Sequence, residues 1–244
     1  MFVYASVLGI ARTKNRKPLI DGAGTLQRIF QISYNKNNVH ILRWSELRHP
    51  NSTIFQNETL QLPQSNITLR GHFRSMTFFY QVEKEIRREF TFQPELQEIA
   101  IEFHRNIKSA YPLVTIVGLH VYREKTRRSI NTNLNVAPLS YYIKAVKLMS
   151  TLISSRAMFI VSSDDPQWCR NNLIIQQEVI FLDAGMPEVH LAILARTTHI
   201  IISTGSYGWW AAWLADAVTV YYNRKTQESS DTNYFPSNWI GIGN

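Results

Sequence analysis

Along the second half of the chain, short runs of β-branched and aromatic residues alternate with segments whose apolar positions recur at helical spacing. The runs LVTIVGLHV (113–121), AMFIVS (157–162), EVIFL (178–182), HIIIS (199–203) and AVTVYY (217–222) predict strands. Between them, PLSYYIKAVKLMSTLIS (138–154), DPQWCRNNL (165–173), PEVHLAILARTT (187–198) and YGWWAAWLA (207–215) predict helices, the first three with proline near the start. Alternation of this kind predicts an α/β fold with a doubly wound parallel sheet. The first half is less regular. It predicts a helix over 1–15, a strand around PLID (18–21), and helices in FFYQVEKEIRREF (78–90) and PELQEIAIEFHRNIKSA (94–110). A boundary at Pro112 separates a smaller α/β half, 1–112, from the regular half, 113–244.

Composition narrows the class. With 244 residues, 45% of them hydrophobic, the chain can bury a sizeable core, which excludes a disordered or fibrous protein. Cys169 is the only cysteine, so no intrachain disulfide can form. A net charge of +8 favours an anionic partner, but the basic residues are dispersed as RTKNRK, IRREF and REKTRR. That dispersal suits a solvated basic surface or a phosphate-bearing small ligand. Nucleic acid is not expected, because neither a zinc spacing nor an aromatic RNA-binding motif is present.

The stretch NSTIFQNETLQLPQSNIT holds three N-x-S/T acceptors, at Asn51, Asn57 and Asn66. Three so close together suggest a lumenal loop, with a cytosolic loop merely rich in Asn and Thr as the other reading. No uninterrupted apolar run reaches the roughly 18 residues of a membrane span, and residues 1–15 lack signal-peptide features. MFVYASVLGIA reads as a helix already under way, so a front end upstream of Met1 is expected.

Candidate chemistry gathers at the predicted strand ends. In a doubly wound sheet, ligands sit beyond the carboxyl ends of the strands, where a short loop enters a helix N-terminus whose free N–H groups attract anions. Thr204, Gly205 and Ser206 stand at such a junction, where glycine lets the backbone approach a ligand and the hydroxyls can bond phosphate oxygens. In IVSSDDPQWC, Ser163 or Asp164 can cap a helix whose first turn holds Pro166. His120 and Arg123 follow the strand at 113–121, and an arginine fork suits a diphosphate. Asp164 and Asp165 are adjacent and so do not form a separated metal-binding pair, and no His/Cys cluster has ligand spacing; no metal is expected.

The blocks HVYRE, FIVSSDDPQWCRNNL and STGSYGWWAAWL, in that order, resemble those of the α-1,2-fucosyltransferases, glycosyltransferase family 11. MFVYASVLGIA, EIRREFTF and FPSNWIGI extend the likeness over essentially the whole chain. The resemblance implies a GT-B-like architecture, with 1–112 as an acceptor-side domain and 113–244 as a Rossmann-like domain for GDP-fucose. It implies metal-independent, inverting transfer of L-fucose to the 2-hydroxyl of a terminal galactoside on a glycan, with no cofactor. It further implies the lumenal side of the Golgi membrane, reached through an N-terminal anchor absent from this chain. Arg123 and His120 are the implied catalytic residues; Ser206, Tyr207, Thr204, Gly205, Asp164, Trp210, Tyr122 and His190 are the implied donor-site positions.

Three departures fall on the donor side. The family's phosphate block reads H-x-R-R-x-D, whereas here Tyr122 replaces the first arginine and Lys125 the acid. His190 stands where the family usually carries an aspartate facing the guanine edge, and the Gly-rich first loop would lie upstream of Met1. Two readings follow: a transferase, impaired at Tyr122 and His190, in which Arg123 takes over the phosphate role, or a non-catalytic member that binds nucleotide or glycan. A dehydrogenase is disfavoured because no G-x-G-x-x-G follows a strand.

Overall fold

The computed structural model describes residues 1–20, 24–33, 45–48, 65–71, 73–123, 136–183, 185–223 and 234–243. The chain divides into two compact units: Met1–Gln93 with Thr226–Ser237, and Pro94–Lys225 with Asn238–Asn244.

In the first unit, helix α1 (Phe2–Thr13) buries Phe2, Tyr4, Leu8 and Ile10. Two single-turn 3₁₀ helices, Met76–Phe78 and Tyr80–Val82, press against it. Contact there is so close that a Cβ on Gly9 would stand 2.0 Å from the Phe78 carbonyl oxygen. The helix expected over 78–90 is therefore α-helical only as α3 (Glu83–Glu89), because Phe79, at φ −143° and ψ 0°, interrupts it. The Glu89 carboxylate is buried and accepts hydrogen bonds from the Tyr4 hydroxyl and, at 2.7 Å, from the Ser33 N–H.

Three elements of this unit lay beyond the sequence pattern: α2 (Gly24–Ile29) and the parallel strands β1 (Ser45–Arg48) and β2 (Ile67–Arg70). The strand expected around 18–21 is not found among the described residues: 18–20 form no strand and Asp21 lies outside them. Pro18 also has no N–H to offer a ladder.

The second unit holds six parallel strands: β3 (Thr115–Val121), β4 (Ala157–Ser163), β5 (Glu178–Phe181), β6 (His199–Ile202), β7 (Val218–Tyr222) and β8 (Ile240–Ile242). Their spatial order is β5-β4-β3-β6-β7-β8, so the order reverses between β3 and β6. Helices α5 (Leu139–Leu152), α6 (Pro166–Asn172), α7 (Pro187–Leu194) and α8 (Ser206–Ala215) connect the strands. The central strands are apolar on both faces, as parallel strands covered by helices must be. Val117, Leu119, Phe159 and Ile201 are fully buried with Tyr141, Tyr142 and Met149 of α5. On α8, the rings of Trp209, Trp210 and Trp213 are buried together.

Helix α4 (Pro94–Ala110) belongs to this second unit, where the His104 imidazole lies 2.9 Å from the Ile193 carbonyl oxygen of α7. The division thus falls after Gln93 rather than at Pro112, because α4 docks on a helix 80-odd positions further along, a tertiary contact with no local signature.

Candidate functional site

Reversal of strand order opens a crevice at the carboxyl ends of the two strands that flank it, the usual ligand position in such sheets. Here those strands are β3 and β6, and main-chain bonds knit their ends together. The Ser203 N–H donates to the His120 carbonyl at 3.2 Å, and the Ser203 hydroxyl accepts from the Tyr122 N–H at 2.8 Å. After β6 the chain turns through Thr204 and Gly205 into α8. Gly205 adopts φ 94° and ψ 157°, a left-handed region that is essentially glycine's alone. The N-cap residue Gly205 makes no side-chain cap bond, and Gly205 and Ser206 are exposed. The first N–H groups of this ten-residue helix are therefore directed at the crevice with their partial positive charge.

His120 lies beneath that helix end. A Cβ on Gly208 would stand 2.5 Å from its Nδ1, so the imidazole fits only because α8 has no side chain there. The ring is 5.0 Å from that of Tyr207, is buried, and leaves Nδ1 without a hydrogen-bond partner among the described residues. Burial lowers its pKa to about 4, so the ring is neutral at pH 7. Tyr207 donates its hydroxyl to the Pro187 carbonyl at 2.5 Å, and burial raises its pKa. His190, on α7, has Nδ1 3.5 Å from the Ser162 hydroxyl at the end of β4. Side chains from β3, β4, α7 and α8 thus meet at one rim of the sheet.

Arg123 and Asp164 form a second part of the rim. The Asp164 carboxylate accepts from the Arg123 main-chain N–H at 2.7 Å, tying the end of β3 to the end of β4. The Arg123 guanidinium lies 3.8 Å above the Trp168 ring and donates from Nη1 to the Ala137 carbonyl at 3.3 Å. The cap of α6 is Asp165, neither Ser163 nor Asp164: its carboxylate accepts from the Trp168 N–H at 3.2 Å. The cap sits one residue later than expected because β4 runs through Ser163 and Asp164 is engaged with Arg123.

The structure brings His120, Thr204, Gly205, Ser206, Tyr207 and His190 towards the crevice, and Tyr122, Arg123 and Asp164 beside it. Trp210 is different: it is buried against Trp209 and Trp213 as part of the core rather than open to a ligand. Asn66 is exposed; Asn51, Asn57 and Lys125 lie outside the described residues. Among the described residues no three His, Cys, Asp or Glu side chains gather as a metal site, and no helix is long and apolar enough to cross a membrane. Trp168, Ser203 and Gly208 carried no signal of their roles in the sequence beyond the block resemblance, because each acts on a residue distant in the chain.

Residues 1–243 match the family model for glycosyl transferase family 11. The chain belongs to this family. It is 29% identical over 267 residues to galactoside 2-alpha-L-fucosyltransferase Sec1 of Mus musculus, covering 98% of this chain and 69% of that protein. Against galactoside alpha-(1,2)-fucosyltransferase 2 of Rattus norvegicus the identity is 27%, over 98% of this chain and 72% of the relative. Among solved structures, a mutant of Arabidopsis thaliana FUT1 in complex with GDP matches with a TM-score of 0.60 at 11% identity, covering 96% of this chain and 71% of the other. The fucosyltransferase NodZ from Bradyrhizobium gives 0.55 at 13% identity, over 88% of this chain and 87% of the other. The expected GT-B-like α/β fold is the fold of this family member, a glycosyltransferase.

Proposed function

We propose that this family member transfers L-fucose from GDP-fucose to the 2-hydroxyl of a terminal galactoside on a glycan, without a metal, with inversion, at the lumenal side of the Golgi membrane. The observation that carries the reading is the N-terminus of α8, with glycine at its N-cap, at the reversal of strand order, with His120 buried beneath it. A helix end of this kind suits a diphosphate. The similarity to galactoside alpha-1,2-fucosyltransferases supports the sugar and the linkage.

In this reading the N–H groups of α8 and the hydroxyls of Thr204 and Ser206 hold the diphosphate. His120, neutral above about pH 4, contributes a hydrogen bond and no charge. Arg123 supplies the formal positive charge as the bond from the fucose anomeric carbon to the β-phosphate oxygen breaks and the bond to the galactose 2-oxygen forms, the 2-hydroxyl proton being released to solvent. The first unit, Met1–Gln93 with Thr226–Ser237, presents the acceptor. A single displacement by the hydroxyl inverts the anomeric centre.

A second reading rests on Tyr122 and on the hold of Trp168 and Ala137 on Arg123: a member that binds nucleotide or glycan without transfer. One experiment separates the two. GDP, but not ADP, at about 100 times its dissociation constant should stabilise the fold by roughly 2.7 kcal/mol. Incorporation of radiolabelled fucose into a β-galactoside, unaffected by EDTA, is expected for the transferase. Binding without incorporation favours the second reading, a magnesium- or manganese-restorable loss in EDTA overturns metal independence, and no shift with GDP overturns the donor site.

A further inference from the structure

We propose that Trp168 is a positioning residue that orients the Arg123 guanidinium for a phosphate, an assignment resting on the donor-site reading above. The Trp168 ring lies 3.8 Å beneath the guanidinium carbon. Stacking of this kind engages the flat face of the cation and leaves its N–H edges free. Only one of the five donors has a partner among the described residues, the Nη1 bond to the Ala137 carbonyl at 3.3 Å, and no carboxylate there pairs with the charge. A half-buried arginine whose charge no acid answers among the described residues, held by its face and a single Nη1 bond, keeps donors for a bidentate anion.

Each partner in the stack is itself fixed. The main chain of Arg123 is anchored by Asp164 at 2.7 Å, which places its Cα at the carboxyl end of β3. The Trp168 N–H is held by the Asp165 cap at 3.2 Å, in a helix whose first turn contains Pro166. The edge of the indole meets the fully buried ring of Tyr142, with centroids 6.1 Å apart. The capped main chain and the Tyr142 contact hold the indole beneath the guanidinium. Without it, a side chain with several rotatable bonds would have to be ordered by the ligand itself, with a loss of affinity.

The test is a double-mutant cycle on GDP affinity, measured by isothermal titration with folded fraction checked by circular dichroism. Trp168→Leu is expected to weaken GDP binding about five- to tenfold, and Trp168→Phe, which keeps an aromatic face, about twofold. In an Arg123→Ala background both substitutions are expected to have no further effect, because their action runs through Arg123. Wild-type affinity in Trp168→Leu, or the same loss in both backgrounds, overturns the proposal while leaving the donor site intact. If Trp168→Leu does not fold, Trp168→Phe carries the cycle alone, and the same two outcomes decide it. A wild-type chain that does not bind GDP overturns the donor site, and the proposal with it.

Discussion

A methyl group at Gly208 should dislodge His120, and the geometry sets the size of the effect. In Gly208→Ala the new Cβ would stand 2.5 Å from Nδ1 and 3.1 Å from Cγ of His120, with Ile202 Cβ at 3.3 Å on another side. The ring cannot retreat freely, since it is 6% exposed and lies against Tyr207, whose hydroxyl is bound to Pro187. Overpacking of this kind costs about 1–3 kcal/mol. Replacing glycine by alanine in a helix interior returns up to about 1 kcal/mol, and less in a first turn. The net expectation is a destabilisation of about 0.5–2 kcal/mol, or a fall in melting temperature of roughly 2–6 °C for a chain of this size. Thermal and urea unfolding followed by circular dichroism read the stability, and GDP titration should show weakened binding as the first turn of α8 shifts. In a His120→Ala background the obstacle is gone, and the same substitution should become neutral or stabilising. A higher melting temperature in the single variant, as helix propensity alone would give, or an undiminished cost without the imidazole, refutes the interlock.

Gly205→Ala should cost about 1–3 kcal/mol through the backbone alone, because its Cβ would meet nothing within 4 Å while φ is 94°; a urea midpoint equal to the parent's would contradict this. The folded-state pKa of His120, about 4, lies below the ordinary 6.5, so between these values the unfolded chain binds more protons. Its contribution to stability is complete above pH 6.5 and is lost as the pH falls towards 4, so His120→Gln should flatten the stability profile in that window; an unchanged slope counts against a buried neutral imidazole. Tyr122→Arg with His190→Asp should raise fucose transfer to a β-galactoside at least about tenfold, since a missing transition-state donor costs roughly 10²–10³ in rate. A parent as fast as the double variant would mean that Arg123 suffices.

Strands β3 to β7 of the second unit were legible for a physical reason. A parallel strand covered by helices on both faces is a nearly continuous apolar run, and residues 116–121 of β3 are all buried. The start of α8 was legible because Gly205 and Ser206 announce a turn before a helix. Elements whose stability comes from partners were not. The β8 strand is Ile-Gly-Ile, too short to show alternation, and is a strand because β7 offers it an edge. β1 and β2 carry ELR and TLR cores with little apolar content and pair across more than twenty residues of chain. The sequence offered Ser163 or Asp164 as the cap after β4, and only the position of Arg123 assigns Asp164 to the neighbouring strand end and leaves the cap to Asp165.

The electrostatics of the rim follow from burial more than from residue type. Histidine is a natural candidate for charge near a phosphate, yet a ring sealed under α8 cannot hold a proton at pH 7, so His120 offers shape and hydrogen bonding. The α8 dipole contributes only partial charge, roughly half an elementary unit at its start. Full positive charge for a leaving diphosphate must then come from Arg123 or from residues outside those described. On the proposed donor-site reading, with Tyr122 in the adjacent position, the direction in which Trp168 holds the Arg123 guanidinium governs how that charge meets a diphosphate.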